Sequence, residues 1–112
     1  MKFNIKEKKS VVVITLVGDM VGGPDATLLS DKLRDLIGEG KNHILLDMQH
    51  VDYMNSSGLG ILIAGVTTVR NSGGELKLFH LVKKLQNLLK ITKLHRVFEI
   101  FENEDEAIDS FA

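Results

Sequence analysis

The chain has 112 residues, 44% of them hydrophobic and 26% charged, and its 14 basic and 15 acidic side chains leave a formal net charge of −1. That length fits one domain able to bury roughly two thirds of its extended surface, and the near-neutral balance supplies no global pull toward nucleic acid. With no cysteine in the sequence, disulfides, thiolate nucleophiles and cysteine zinc sites are excluded, and the apolar runs fall far short of the roughly 18 residues that a membrane span requires.

Phe3 to Lys8 alternates as a short edge strand, and Val11 to Val17 is a β-branched run with the pattern of a strand buried on both faces. Ser10 falls in the turn between them. Gly18 to Gly23 form a loop, Pro24 suits a first helical turn, and Leu29, Leu33, Leu36 and Ile37 make an apolar stripe that ends near Gly38-Glu39-Gly40. His43 to Met48 reads as the next strand. Leu59, Leu62, Ile63, Val66 and Val69 then line one face of a helix closing at Asn71-Ser72-Gly73-Gly74. Glu75 to Phe79 alternates as a strand, Val82 to Lys90 is helical with Leu85, Leu88 and Leu89 inward, Val97 to Phe101 is a last short strand and Glu104 to Phe111 a terminal helix.

The order ββαβαβαβα predicts an α/β fold: a mixed, mostly parallel sheet of about five strands with about four helices, the opening hairpin adding an antiparallel edge. In open sheets of this kind, ligands and partners gather beyond the carboxyl ends of the strands. Gly18 to Gly23 and Asp52 to Ser57 both follow such ends, which places the two loops face to face. The start of the chain, Met1-Lys2-Phe3-Asn4, has neither the apolar stretch nor the cleavage site of a signal peptide, and the location expected is cytoplasmic. Charge is unevenly distributed. Lys83, Lys84, Lys90, Lys93 and Arg96 have no acid among them, whereas Glu99, Glu102, Glu104, Asp105, Glu106 and Asp109 have no base. Solvated helix faces are one reading of these runs, and a partner-docking surface is the other.

The junction Asp52-Tyr53-Met54-Asn55-Ser56-Ser57-Gly58-Leu59-Gly60 sets two hydroxyls where a strand gives way to the first turn of a helix. Backbone N–H groups there lack intrahelical partners and carry the positive end of the macrodipole. A serine in that position can cap the helix or carry a phosphate, and Asn55, Ser56 and Ser57 are all suitable caps. The glycines on either side of Leu59 let another surface approach closely. Catalysis is not the expected chemistry. The segment is not a GxSxG elbow, no histidine pattern marks a triad, and His43, His50, His80 and His95 lack the spacing of a helical metal pair. Gly58-Leu59-Gly60 lacks the third glycine of a dinucleotide fingerprint, and Gly38-Glu39-Gly40-Lys41 lacks the length of a phosphate-binding loop. Stacking aromatics for nucleic acid are scarce, with Tyr53 and five phenylalanines in all. The chain is therefore read as a non-enzyme without metal, cofactor, nucleic acid or membrane insertion.

Tyr53-Met54-Asn55-Ser56-Ser57-Gly58-Leu59-Gly60 resembles, at all but one position, the signature Tyr-Met-Asp-Ser-Ser/Thr/Ala-Gly-Leu-Gly of the STAS-domain family, specifically the short bacterial anti-sigma factor antagonists. The likeness runs along nearly the whole chain. Leu16 to Asp19 are similar to the family's strand end, Ser72-Gly73-Gly74-Glu75-Leu76 to its helix-to-strand turn, and Ile91-Thr92-Lys93-Leu94 to its Ile/Met-Thr/Ser-Gly-Leu turn. The resemblance implies one STAS domain over residues 1–112. It implies binding of an anti-sigma factor serine kinase, phosphorylation of Ser56, release of the partner, and restoration by a phosphatase. The contact surface it implies comprises Asp19, Val21, Gly22, Asn55, Ser56, Ser57, Gly58 and Leu59.

Two residues depart from the family pattern. The acid that usually precedes the acceptor is replaced by Asn55, and the acid expected two residues after Asp19 is replaced by Val21. These departures imply a divergent member that docks through the same surface but is phosphorylated slowly, by a different kinase, or not at all. The alternative is a STAS scaffold, a subunit of a transporter or signalling assembly in which phosphorylation is unused.

Overall fold

Lys9 and Ser10 both adopt positive φ, 53° and 67°, so the first turn is a two-residue hairpin whose twist suits antiparallel strands. It joins β1 (Lys2–Lys8) to β2 (Val11–Val17), with Lys8 opposite Val11 and Lys2 opposite Val17. The computed structural model describes residues 1–111. Among the described residues, β3 (His43–His50), β4 (Glu75–Phe79) and β5 (Ile100–Phe101) continue the sheet in parallel, giving the order β1-β2-β3-β4-β5. The helices are α1 (Pro24–Gly38), α2 (Ser56–Asn71), α3 (Lys83–Ile91) and α4 (Glu104–Asp109).

Because strand order follows chain order, crossovers of one hand place successive helices on the same side of the sheet. The main core matches this arrangement: Val12, Ile14 and Leu16 of β2 and Ile44 and Leu46 of β3 pack with Leu33 of α1, Leu62 of α2 and Leu85 of α3. On the opposite face, Val11, Val13, Leu45 and Phe79 meet Ala107 and Ile108 of α4 and Phe111 just beyond it. Burial on both faces explains the unbroken Val/Ile run of β2.

The expected element order, αβ class and mixed sheet are those observed. Differences are local. β3 extends to His50 rather than Met48, and α3 begins one residue later, with Val82 as its N-cap. The last strand spans only Ile100–Phe101 rather than the expected Val97 to Phe101, because Val97 is taken up as the helical C-cap of a 3₁₀ turn, Leu94–Arg96. Helix α4 ends at Asp109 rather than Phe111. On α2, Ile63 is 37% exposed, while Ile61 and Gly65 are buried. The buried stripe is rotated because Gly65 admits Leu33 of α1, whose Cδ1 would lie 3.3 Å from a Cβ added there. Among the described residues, no helix is long and apolar enough to cross a membrane.

Candidate functional site

Past the carboxyl ends of β2 and β3, the backbone continues the parallel pairing into the loops. Gly18 N–H donates to the His50 carbonyl at 3.2 Å, Met20 N–H to the Tyr53 carbonyl at 2.9 Å, and Asn55 N–H to the Met20 carbonyl at 3.4 Å. Met20 and Met54 form a single parallel bridge, and their side chains, together with Val51, are buried. Three apolar anchors thus leave Asp19, Val21, Asp52 and Tyr53 exposed around them. The loops do face each other, as their positions after strand ends predict. Met20 is the residue that sequence reasoning left undistinguished within a loop; its one signal is an apolar side chain set between Asp19 and Val21.

Asn55 decides what the serines do. It is the N-cap of α2 in extended backbone conformation, its Oδ1 accepting from Gly58 N–H at 2.9 Å, while its Nδ2 donates to the Val21 carbonyl at 3.3 Å. One side chain therefore caps the helix and ties it to the opposite loop. Ser56 and Ser57 follow as the first two helical residues, both exposed. Among the described residues, neither serine hydroxyl has a hydrogen-bond partner in the protein. Gly22 backs onto Ser57 so closely that an added Cβ would sit 2.8 Å from the Ser57 Cβ, and its φ of 95° further favours glycine.

Of the eight residues expected to form a contact surface, Asp19, Val21, Ser56 and Ser57 are exposed, and Gly22 and Asn55 are half-buried. Gly58 and Leu59 lie behind that surface. Leu59 is packed in the core, and a Cβ on Gly58 would meet the Met20 carbonyl oxygen at 1.9 Å. Close approach at Gly58 is therefore internal, between α2 and the loop after β2. Gly60 is the glycine left open, with nothing within 4 Å of an added Cβ. It borders a groove of about 200 Å³ between α1 and α2, where Ala26, Ser30, Ser57 and Ala64 also line the wall.

Chemically, the arrangement presents a free hydroxyl at the positive end of a 16-residue helix. Among the described residues, no base is hydrogen-bonded to either serine, and no three His, Asp or Glu side chains are grouped as a metal ligand set.

Comparison with known proteins gives a match of the STAS domain family model to residues 2–107. The anti-sigma-B factor antagonist of Bacillus subtilis (strain 168) is 29% identical over 97 residues, 87% of this chain and 87% of that one. A crystal structure of a Thermotoga maritima protein superposes with a TM-score of 0.86 at 24% identity, covering 97% of this chain and 93% of the other. The anti-sigma factor antagonist SpoIIAA, solved in an unphosphorylated and a phosphorylated form, superposes with a TM-score of 0.72 in both, at 19% and 20% identity. The coverage is 97% of this chain and 96% of the unphosphorylated form, and 99% and 100% for the phosphorylated one.

Proposed function

The chain belongs to the STAS-domain family, and from that premise we propose that it is an anti-sigma factor antagonist controlled through Ser56. Unmodified, it binds an anti-sigma factor serine kinase through Asp19, Val21, Gly22, Asn55, Ser56 and Ser57, with Gly58 and Leu59 supporting that surface from behind. Phosphorylation of Ser56 releases the kinase, and a phosphatase restores binding. The domain is taken as residues 1–112, and a partner of this kind places the chain in the cytoplasm.

The observation that carries this reading is that the Ser56 hydroxyl is exposed and unengaged because Asn55, and not Ser56, caps α2. A serine serving the helix would have its oxygen turned to the backbone. A phosphate adds about −1.5 to −2 charges and three strong acceptors at one point. Placed at a helix N-terminus, that charge interacts favourably with the fold by about 0.3 to 1 kcal/mol. In a closed interface the same charge must be desolvated, and removing an ion from water costs several kcal/mol unless it is paired. Turning a 99:1 preference into 1:99 needs about 5.5 kcal/mol of differential binding, which is within that range.

Replacement of the two usual acids by Asn55 and Val21 removes carboxylates from the neighbourhood of the hydroxyl, and slow phosphorylation follows from this in the proposal. The test combines capture and modification. The purified kinase is expected to bind wild type and Ser56→Ala but not Ser56→Asp. Incubation with kinase and ATP, followed by intact-mass measurement, is expected to show partial, slow addition of one phosphate. Equal capture by all three proteins would overturn the switch in favour of a constitutive scaffold or subunit, and rapid stoichiometric phosphorylation would remove the claim of slow modification.

A further inference from the structure

We propose that the exposed face of α3 is the second half of the docking surface and receives an acidic segment of the partner, one of whose apolar side chains enters the cleft between Tyr53 and Ile91. This inference rests on the reading of the chain as a kinase-binding antagonist and adds the chemistry of the partner's contact segment.

Three observations converge on this face. A cleft of about 270 Å³ opens between the β3–α2 loop and α3, walled by Tyr53, Met54, Lys84, Leu88 and Ile91. Ile91 is 79% exposed, more than any other large hydrophobic side chain among the described residues, and Tyr53 is 44% exposed. Leu85 and Leu89 already bury the inner face of α3, so Ile91 is not needed by the core. Lys84, Leu88 and Ile91 stand at i, i+4 and i+7, on one face of the helix. Lys83 and Lys90 are exposed on the strip beside it.

Charge identifies the occupant. No acid occurs between Glu75 and Glu99, and among the described residues Lys83, Lys84, Lys90, Lys93 and Arg96 have no carboxylate within ion-pair distance. The lysines of the opening hairpin contrast with them: Lys6, Lys8 and Lys9 pair with Glu104, Asp105 and Asp109. The chain's acidic C-terminal helix is thus engaged with β1 and the hairpin turn, leaving the α3 cations without an internal match. Unmatched cations around an apolar cleft select a partner with the complementary charge and an aliphatic or aromatic side chain to bury. The face is also continuous with the proposed switch. Lys84 Nζ lies 5.4 Å from the centroid of the Tyr53 ring, and Tyr53 precedes Ser56 by three residues.

The test is an NMR titration of the 15N-labelled chain with the purified anti-sigma factor kinase, with affinities measured for Ile91→Asp and for the double variant Lys84→Glu/Lys90→Glu. Both variants alter only exposed positions, and unchanged amide spectra elsewhere verify their folds. The expected result is that amides of α3 and Tyr53 shift together with those around Ser56, and that each variant binds at least about tenfold more weakly. If only the Ser56 loops shift and both variants bind as wild type, the α3 inference is overturned and the antagonist reading stands. Shifts confined to α3 would sustain this inference and overturn the placement of docking at Ser56. No shift with the kinase overturns both. A response of α3 to vesicles of equal parts phosphatidylserine and phosphatidylcholine, without one to the kinase, overturns the inference in favour of a membrane surface.

Discussion

Asn55 holds two hydrogen bonds with one side chain: its oxygen accepts from Gly58 N–H and its amide nitrogen donates to the Val21 carbonyl. Asn55→Ala removes both and is expected to lower stability by about 1 to 2 kcal/mol, readable as a reduced urea midpoint. Asn55→Asp keeps the cap and adds a charge favoured at the helix N-terminus, but it turns an oxygen toward the Val21 carbonyl, so it should recover most of that loss and not all. The glycines flanking Leu59 separate in the same measurement. Gly58→Ala drives a methyl into the Met20 carbonyl, a backbone atom that cannot turn aside, and should cost about 3 kcal/mol or more. Gly60→Ala meets nothing and should stabilise the helix by up to about 1 kcal/mol. Sequence alone marks Asn55, Ser56 and Ser57 as three equivalent caps. The choice among them depends on a carbonyl 34 positions away in the chain, and no local pattern encodes that.

Elements were legible where the apolar period is strong and flanked by turn residues, as for β2, β4 and the body of α1 and α2. They were less legible where tertiary contacts decide. Lys77 is the clearest example: alternation along β4 puts it on a solvent face, yet it is 3% exposed because α4 and Phe111 fold over it. Its Nζ donates to the carbonyl and hydroxyl oxygens of Ser110 at 3.0 and 2.9 Å, pairs with Glu99 at 3.1 Å and lies 4.5 Å from the centroid of the Phe111 ring. That ammonium anchors a six-residue helix too short to be stable alone. Lys77→Met keeps the apolar stem but removes the two bonds to Ser110, each worth about 1 kcal/mol. Glu99 stays largely in water, so no buried charge is orphaned. The expected outcome is faster hydrogen exchange at α4 amides, with a smaller change in exchange at β2 and β3; uniform acceleration across the sheet would instead make Lys77 a support of the whole core.

At the scale of the molecule, the alternation of strands and helices predicted the sheet class, and helix lengths predicted parallel crossovers, but strand order and the sharing of one face by α1, α2 and α3 required the pairing itself. That topology concentrates the conformational work of holding the loops in the core, through Met20, Val51 and Met54, and leaves the Ser56 hydroxyl outside it. Stability and recognition should therefore separate. In Ser56→Asp, a carboxylate enters the first turn of α2, where the macrodipole favours it by about 0.3 to 1 kcal/mol, partly offset by the exposed acids Asp19 and Asp52 in the adjoining loops. Its urea midpoint should equal or slightly exceed that of wild type, while capture of the proposed partner kinase is lost. A midpoint that falls together with binding would mean that Ser56 supports the fold, and loss of capture could then no longer be ascribed to charge at a docking surface.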